Sequence, residues 1–127
     1  MIYLVEKKTN PKKYNKRILL QSKGFVADDE GISTAGWVDW MPLWACRKPL
    51  TTRWRETYQA AGLNVDKMIQ LEIRYRTGIT PDMRIVHGKK VVDGVETDRI
   101  YDIKSVLDDV KGDGVETWIM ALERDNG

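Results

Sequence analysis

Residues 68–86 read MIQLEIRYRTGITPDMRIV, and the alternation within this stretch decides the fold. Apolar and polar side chains follow one another from residue 69 to residue 76. Because a period of two sends successive side chains to opposite faces, the stretch predicts a β-strand with one apolar and one charged face. The expected apolar face consists of Ile69, Leu71, Ile73 and Tyr75, and the charged face of Gln70, Glu72, Arg74 and Arg76.

The segment TGITPD, residues 77–82, interrupts the alternation. Gly78 tolerates a positive φ angle and Pro81 lacks a backbone N–H, so the segment predicts a turn or corner. A second strand is expected directly after it, in which Met83 and Ile85 share a face. Together these features predict a β scaffold, and they indicate no chemistry.

Length and composition fit one soluble globular domain with one core. Hydrophobic residues make up 42% and charged residues 31% of the 127 residues. No apolar run approaches the roughly 20 residues that span a bilayer. The start MIYLV is followed at once by charge and has no small-residue cleavage site, so it does not resemble a signal peptide.

One cysteine and one histidine restrict the chemistry that the chain supports. Cys46 excludes an internal disulfide, and we expect it to be a small buried apolar residue in a chain made in a reducing cytoplasm. No serine or cysteine catalytic set can be built without His87. The adjacent acids Asp28, Asp29 and Glu30 lack the spacing of a calcium-binding loop. We therefore expect no enzyme, no cofactor and no metal site.

The small net charge of +2 hides an uneven distribution. Residues 1–23 carry seven lysines and arginines against one glutamate, whereas residues 93–127 carry ten acids against four bases. Residues 1–16 are therefore interpreted as a basic N-terminal arm, which is ordered only where something holds it. In a ring protein the holder would be a neighbouring subunit or an adjacent ring. Such polarity suits a subunit that stacks head to tail or presents its basic end to DNA. The alternative is a solvated tail with ordinary surface strands.

A first strand is expected over residues 17–22, and a long loop, SKGFVADDEGISTAG, over residues 22–36. The loop is rich in glycine, serine and acids and is longer than most hairpin connections, which is typical of a functional loop. The run GWVDWMPLWACRK, residues 36–48, predicts the next strand. Pro42 within that run indicates an edge strand or a bulge.

Three tryptophans belong to this second strand. Its period places Trp40 and Trp44 on one face and Trp37 on the other. Bases stack on aromatic rings with little sequence preference, so the three side chains could form a nucleic-acid platform. We favour burial instead, because tryptophan contributes a large apolar area to a small β core.

Residues 51–62, TTRWRETYQAAG, are the best helix candidate. A threonine can cap the start, Gly62 can end the helix, and Trp54 and Tyr58 share one face. Four basic residues lie in this helix or just before it, namely Arg47, Lys48, Arg53 and Arg55. In isolation these charges indicate either a solvated helix face or contact with a negatively charged partner.

The run HGKKVVDGVETDRIYDI, residues 87–103, predicts an extended hairpin, because Asp93-Gly94 is a favoured tight-turn dipeptide between valines. The last strand, VETWIMALER, residues 115–124, is apolar on both faces. Because a small sheet protein has one interior, we expect one of these faces to form a subunit interface. The residues of that face are Trp118, Met120 and Leu122.

The ordered series IRYRTGITPDMRIVHGKK (73–90), RIYDIKSVLDD (99–109) and ETWIMALER (116–124) resembles the head–tail joining family of tailed bacteriophages, also called head closure or stopper proteins. The resemblance extends from about Arg17 to Arg124. It implies a mainly β fold: a small antiparallel β-barrel or sandwich over residues 17–124, with one short α-helix and long loops. Family members turn more directly into the Tyr-Asp-Ile strand, so the hairpin over residues 88–99 is a departure from the family pattern.

The resemblance implies a virion structural protein, assembled in the bacterial cytoplasm, that forms a ring in the head–tail connector. Its expected partners are further copies of itself, the portal or adaptor protein, tail terminator or tail proteins, and packaged double-stranded DNA without sequence preference, but no membrane. Residues 47–64 match the segment that the family associates with the central channel, so Arg47, Lys48, Arg53 and Arg55 are expected to face DNA phosphates. The predicted assembly interface consists of Lys12, Lys13, Lys16, Trp118, Met120 and Leu122.

Two other functions fit the sequence. The chain could be a tail-side adaptor or terminator, which would bind the tail tube without the portal. It could instead be a barrel of the oligonucleotide-binding type that binds single-stranded nucleic acid. The binding surface would then consist of Trp37, Trp40, Trp44, Arg74 and Arg76.

Overall fold

The computed structural model describes residues 13–124 of the chain. Over these residues the chain forms six β-strands, one α-helix and a short 3-10 helix. Their bounds are β1 Lys16–Ala27, β2 Ser33–Lys48, α1 Thr52–Ala60, the 3-10 helix Val65–Lys67, β3 Met68–Arg74, β4 Arg84–Val92, β5 Val95–Leu107 and β6 Glu116–Glu123.

The six strands close into an antiparallel barrel in the order β1-β2-β3-β6-β5-β4. The predicted fold class, a small antiparallel barrel with one helix, is confirmed. Ile69, Leu71 and Ile73 of β3 lie in the interior together with Ile85 of β4 and Tyr101 of β5, as their period of two requires. This inner cluster is the main core of the barrel.

The outer face of β3 carries the predicted polar and charged side chains, but two of them are shielded from water. Gln70 and Glu72 are 2% and 1% exposed. Parts of the chain distant in sequence cover this face at these positions. The side chain of Lys13 reaches Glu72, and an outer apolar cluster that includes Met68 lies beside Gln70 on the same strand. Arg74 is exposed, as predicted.

Helix α1 provides much of that outer cover. Tyr58 is its buried residue and stacks on Trp54, with ring centroids 5.8 Å apart. Both side chains pack with Met120 of β6, which is fully buried. The helix lies within the predicted range 51–62, and Gly62, with φ of +87°, follows its end.

The predicted long loop over residues 22–36 is instead mostly strand. β1 and β2 pair without interruption from Gln21–Asp39 to Ala27–Ser33, so they continue beyond the barrel as a two-stranded ribbon. The Asp28 carboxylate closes the turn by accepting hydrogen bonds from the backbone N–H groups of Glu30 and Ile32. Composition suggested a loop, but this carboxylate and the ladder hydrogen bonds order the segment.

A β-bulge at Trp40 shifts the register between β1 and β2. Trp37 pairs with Lys23 and Trp44 with Arg17, and the even spacing of these partners along β1 places both tryptophans on one face. The prediction that they lie on opposite faces was therefore wrong. Pro42 lies two residues beyond the bulge, where β2 pairs with β1 alone, in agreement with its predicted edge or bulge position.

Both predicted turns around β4 are confirmed. Gly78 has φ of +93° in the corner between β3 and β4. Asp93 and Gly94 both have positive φ, 51° and 79°, and they join the paired residues Val92 and Val95. Two consecutive positive φ angles are the signature of the type I′ turn that Asp-Gly favours.

Candidate assembly and DNA-contact surfaces

A buried ionic cluster fixes the chain where β1 begins. The Lys13 ammonium lies 2.8 Å from Glu72 and 2.7 Å from Glu116, which belong to the paired strands β3 and β6. Tyr14 donates a hydrogen bond of 2.6 Å to Glu116, and Lys48 lies 3.4 Å from Glu72. Of the predicted basic arm, residues 1–12 lie outside the described residues. Its end at Lys13 and Tyr14 is packed against the barrel.

The cluster shifts the pKa values of two of its members. Burial alone would raise the pKa of Glu116, but hydrogen bonds from Lys13, Tyr14 and Trp118 outweigh it and hold that pKa below its usual range. Partial burial lowers the pKa of Lys13, but its contacts with Glu116 and Glu72 outweigh burial and raise that pKa above its ordinary value. The ion pair therefore stays charged at neutral pH.

A groove of about 650 Å³ separates β2 from β3. It exists because these strands pair only from Cys46 to Lys48, which leaves the rest of β2 open on this side. Arg17 lies over the Trp44 ring at 5.0 Å, which places a further cation beside the groove. The groove is lined by Tyr14, Pro42, Leu43, Trp44, Ile73, Arg74, Tyr75 and Arg76. We call it the β2–β3 groove.

The three tryptophans of β2 do not form one platform. Trp44 is 53% exposed beside the groove, whereas Trp40 lies against the Gly78 corner and is 37% exposed. Trp37 contacts a different set of cations, with Arg84 at 4.4 Å and Arg124 at 5.5 Å. The favoured interpretation, core burial, was wrong for Trp40 and Trp44. The residues of the alternative nucleic-acid surface lie together only in part. Arg74 and Arg76 line the same groove as Trp44, whereas Trp37 lies outside that groove.

The four predicted DNA-facing residues fall into two pairs with different surroundings. Lys48 and Arg55 each contact an acid, Glu72 at 3.4 Å and Asp66 at 3.0 Å. Arg47 and Arg53 are exposed and form no ion pair with any carboxylate of residues 13–124. Arg47 and Lys48 also line a depression of about 370 Å³ together with the predicted interface residue Lys16. The contact of these residues with DNA stays a prediction.

The apolar outer face of β6 has a cover within the chain. Met120 is fully buried under α1, and Trp118 and Leu122 are half-buried in the same outer cluster. A subunit interface was predicted at Met120 because the face is apolar and the sequence indicates no cover for it. Since α1 covers Met120 within the same chain, the apolar character of this residue no longer indicates an interface. An interface role for the other predicted residues stays a prediction. Lys12 lies outside the described residues, Lys13 is engaged by Glu72 and Glu116, and Lys16 is exposed.

Two hairpins extend from opposite ends of the barrel. β1 and β4 are antiparallel, with Leu19 opposite Val86 and Gln21 opposite Arg84. β1 continues past Gln21 into the ribbon with β2, whereas β4 continues past Val86 into its hairpin with β5. Because the two strands run in opposite directions, the two extensions leave the barrel in opposite directions.

Both hairpins end in exposed apolar side chains. Phe25 is 76% exposed and Ile32 56% exposed at the end of the β1–β2 ribbon. Val91 and Val95, exposed by 72% and 61%, flank the β4–β5 turn. We call residues 25–32 the ribbon tip and residues 91–95 the β4–β5 tip. Sequence reasoning missed the ribbon tip, although apolar residues on both sides of an Asp-rich, Gly-containing turn are the signal of a hairpin.

The single histidine and the single cysteine lie on different strands, His87 on β4 and Cys46 on β2. No group of three or more histidine, cysteine, aspartate and glutamate side chains that could hold a metal ion occurs within residues 13–124. His87 is half-buried in β4, and its Nδ1 lies 2.9 Å from the backbone oxygen of Arg17. Cys46 is a half-buried free thiol. No helix in residues 13–124 is long and apolar enough to cross a bilayer.

Comparison with known proteins agrees with this architecture. The solution structure of protein SF1141 from Shigella flexneri 2a is similar with a TM-score of 0.63 and 21% sequence identity, over 94% of this chain and 100% of that chain. This likeness concerns the fold alone. No curated protein has a sequence that matches the chain. The family model described as phage head completion protein matches residues 9–124, which is most of the chain. The chain therefore belongs to the phage head completion protein family, a family of phage structural proteins.

Proposed function

We propose that this protein forms a ring in the head–tail connector, beneath the portal or adaptor, where it closes the DNA-filled head and provides the docking surface for the tail. Its role is structural rather than enzymatic. Membership of the head completion family supports a place in the phage particle. The observation that carries the connector role is the pair of apolar tips at opposite ends of the barrel.

Each tip has the composition of a contact surface. Monomeric proteins rarely leave clusters of large apolar side chains at the ends of long hairpins, because such clusters promote association. Phe25 and Ile32 at one end and Val91 and Val95 at the other are therefore expected to be covered by partners. Since the two ends differ in sequence and direction, they fit two different neighbours rather than one symmetric contact.

A ring made of identical subunits requires this kind of heterologous contact, in which one surface of a subunit meets a different surface of the next. A connector needs a further surface that faces an adjoining ring. The two unlike ends of this small barrel fit these two roles, one as a contact between subunits and the other as a surface that faces an adjoining ring. The basic residues Arg47 and Arg53 are exposed and form no ion pair with the acids of residues 13–124, so they are available to contact DNA phosphates in the channel.

The test is electron microscopy of particles made by a phage that lacks this gene. The proposal predicts heads that were packaged, leak their DNA and carry no tails. Intact heads that retain DNA beside free tails would place the protein on the tail side, as an adaptor or terminator. Normal virions would overturn the structural role altogether.

A further inference from the structure

We propose that the ribbon tip of one copy of this chain inserts into the β2–β3 groove of the next copy, and that this contact closes the ring. The inference rests on the proposed ring and identifies the two surfaces that meet within it. The partner is a second copy of the chain, and three observations support that choice.

The first observation is an unmatched positive charge at the groove. Arg74 is exposed, Arg76 is half-buried, and neither forms an ion pair with a carboxylate within residues 13–124. Trp44 and Tyr75, which are 53% and 43% exposed, supply the apolar part of the lining. The groove is therefore suited to a segment that combines acidic and apolar side chains.

The second observation is that the ribbon tip has this composition. Asp29 and Glu30 are exposed at the turn and form no ion pair in the described part of the chain. Phe25 and Ile32 are strongly exposed on either side of them. The carboxylate of Asp28 is already engaged by two backbone N–H groups, so the turn is ordered before any partner arrives. A preordered segment loses little conformational entropy on binding.

The third observation is the distance between the tip and the groove of the same molecule. Trp44 in the groove lies opposite Arg17 on β1, and the tip begins at Phe25, opposite Ala35. From Arg17 to Phe25 is eight residues, or about 27 Å at the rise of an antiparallel strand. A paired ribbon of this length cannot fold back into its own groove. The tip therefore has to find the groove of another copy, and each copy repeats the same contact around a ring.

Charge reversal on each side tests the contact. The variants D29K/E30K and R74E/R76E are each supplied in place of the wild-type gene to a phage that lacks it. Each variant should lower the yield of infective particles by about a hundredfold, because like charges then oppose one another at every contact between subunits. The single reversals E56K and K104E, at exposed positions on α1 and β5, are the controls. Circular dichroism melting shows whether each variant is folded.

Restoration by partner variants decides the outcome. A chain that carries all four substitutions places lysines opposite glutamates at every contact. In an equal mixture of the two double variants, alternation places lysines opposite glutamates at every second contact and keeps the wild-type pairing of acids with arginines at the others. Both arrangements should recover most of the wild-type yield. If folded variants are impaired and neither combination recovers, the groove binds a different partner, such as DNA phosphates, and the inference is overturned. If the reversals have no effect although deletion of the gene leaves heads open and tailless, the inference fails and the proposed function stands.

Discussion

The ammonium group of Lys13 lies 2.7 Å from a carboxylate oxygen of Glu116, although 103 residues separate the two in the chain. The same ammonium group contacts Glu72 on the neighbouring strand. Both carboxylates are almost fully buried, so they share the single positive charge of Lys13, without which their removal from water would be more costly. The point where the N-terminal segment meets the barrel is thereby fixed to β3 and β6.

The first prediction concerns this cation. The K13M substitution keeps a long apolar side chain but leaves Glu72 and Glu116 without their shared partner. Loss of one partner of a fully buried pair costs roughly 3–5 kcal/mol, and since Lys13 is partly in water we expect a decrease of about 2–3 kcal/mol in the free energy of unfolding. Urea denaturation of the isolated chain measures it. The control K104M, at an exposed position, should leave the midpoint of urea denaturation unchanged. If K13M also leaves this midpoint unchanged, the cluster does not stabilise the fold as proposed.

The second prediction concerns pH. The pKa of Glu116 in the folded chain is below its ordinary value of 4.5, so the folded state binds this proton less readily than the unfolded state. Its contribution to stability is present in full above about pH 4.5 and is lost as the pH falls through the lower, folded-state pKa. The free energies of unfolding of the wild-type chain and of E116Q, measured by denaturation, should therefore differ most near neutral pH. The two values should become equal in acid. A difference that stays constant from pH 7 to pH 3 would contradict the assignment.

The third prediction concerns the outer apolar cluster. Met120 is fully buried under α1, so M120A should lower the free energy of unfolding of the isolated chain by about 2–4 kcal/mol through the lost contacts and the cavity left behind. V91A, at a position that is 72% exposed, is the matched control and should change it little. Thermal melting of the two variants measures the difference. An unchanged melting temperature for M120A would indicate that α1 does not pack on this face in solution.

Local signals in the sequence predicted the parts of the fold that depend on nearest neighbours. The period of two predicted the inner face of β3, and Gly78 and Asp93-Gly94 predicted the turns. Both kinds of feature depend on the backbone preferences of a few adjacent residues. The ribbon was missed for the same reason. Glycine, serine and acids over residues 22–36 have low strand propensity one by one, and only the ladder between β1 and β2 offsets it.

The surfaces were less predictable because they depend on contacts distant in sequence. Glu72 has the pattern of a solvated residue, and nothing near it in sequence shows that Lys13 will cover it. The groove beside Trp44 exists only because β2 and β3 pair over three residues, and the bulge at Trp40 decides which tryptophans share a face. Basic residues around α1 were identified from the sequence, but their division into paired and unpaired members required the structure.

The fourth prediction concerns the β4–β5 tip, which we expect to contact an adjoining ring. The V91D/V95D variant places two charges on this tip without touching the core, so the chain should fold with an unchanged melting temperature. A buried unpaired charge costs several kcal/mol, so the yield of infective particles should decrease by at least about tenfold. The Q59E/K104E variant adds negative charge at exposed positions elsewhere and serves as the control. A wild-type yield from V91D/V95D would show that this tip stays in solvent.

The fifth prediction concerns DNA retention. Arg47 and Arg53 are exposed and pair with no acid of residues 13–124, whereas Arg55 is engaged by Asp66. If the first two face packaged DNA, R47Q/R53Q removes phosphate contacts without altering the barrel, and particles that carry tails should lose DNA more readily. Protection of the packaged DNA from nuclease after storage in low salt measures the loss.

Since exposed ion pairs contribute at most about 1 kcal/mol, the single variant R55Q should fold normally and retain DNA like the wild type. If R47Q/R53Q particles also retain their DNA, these two arginines belong to a solvated surface and the channel lies elsewhere.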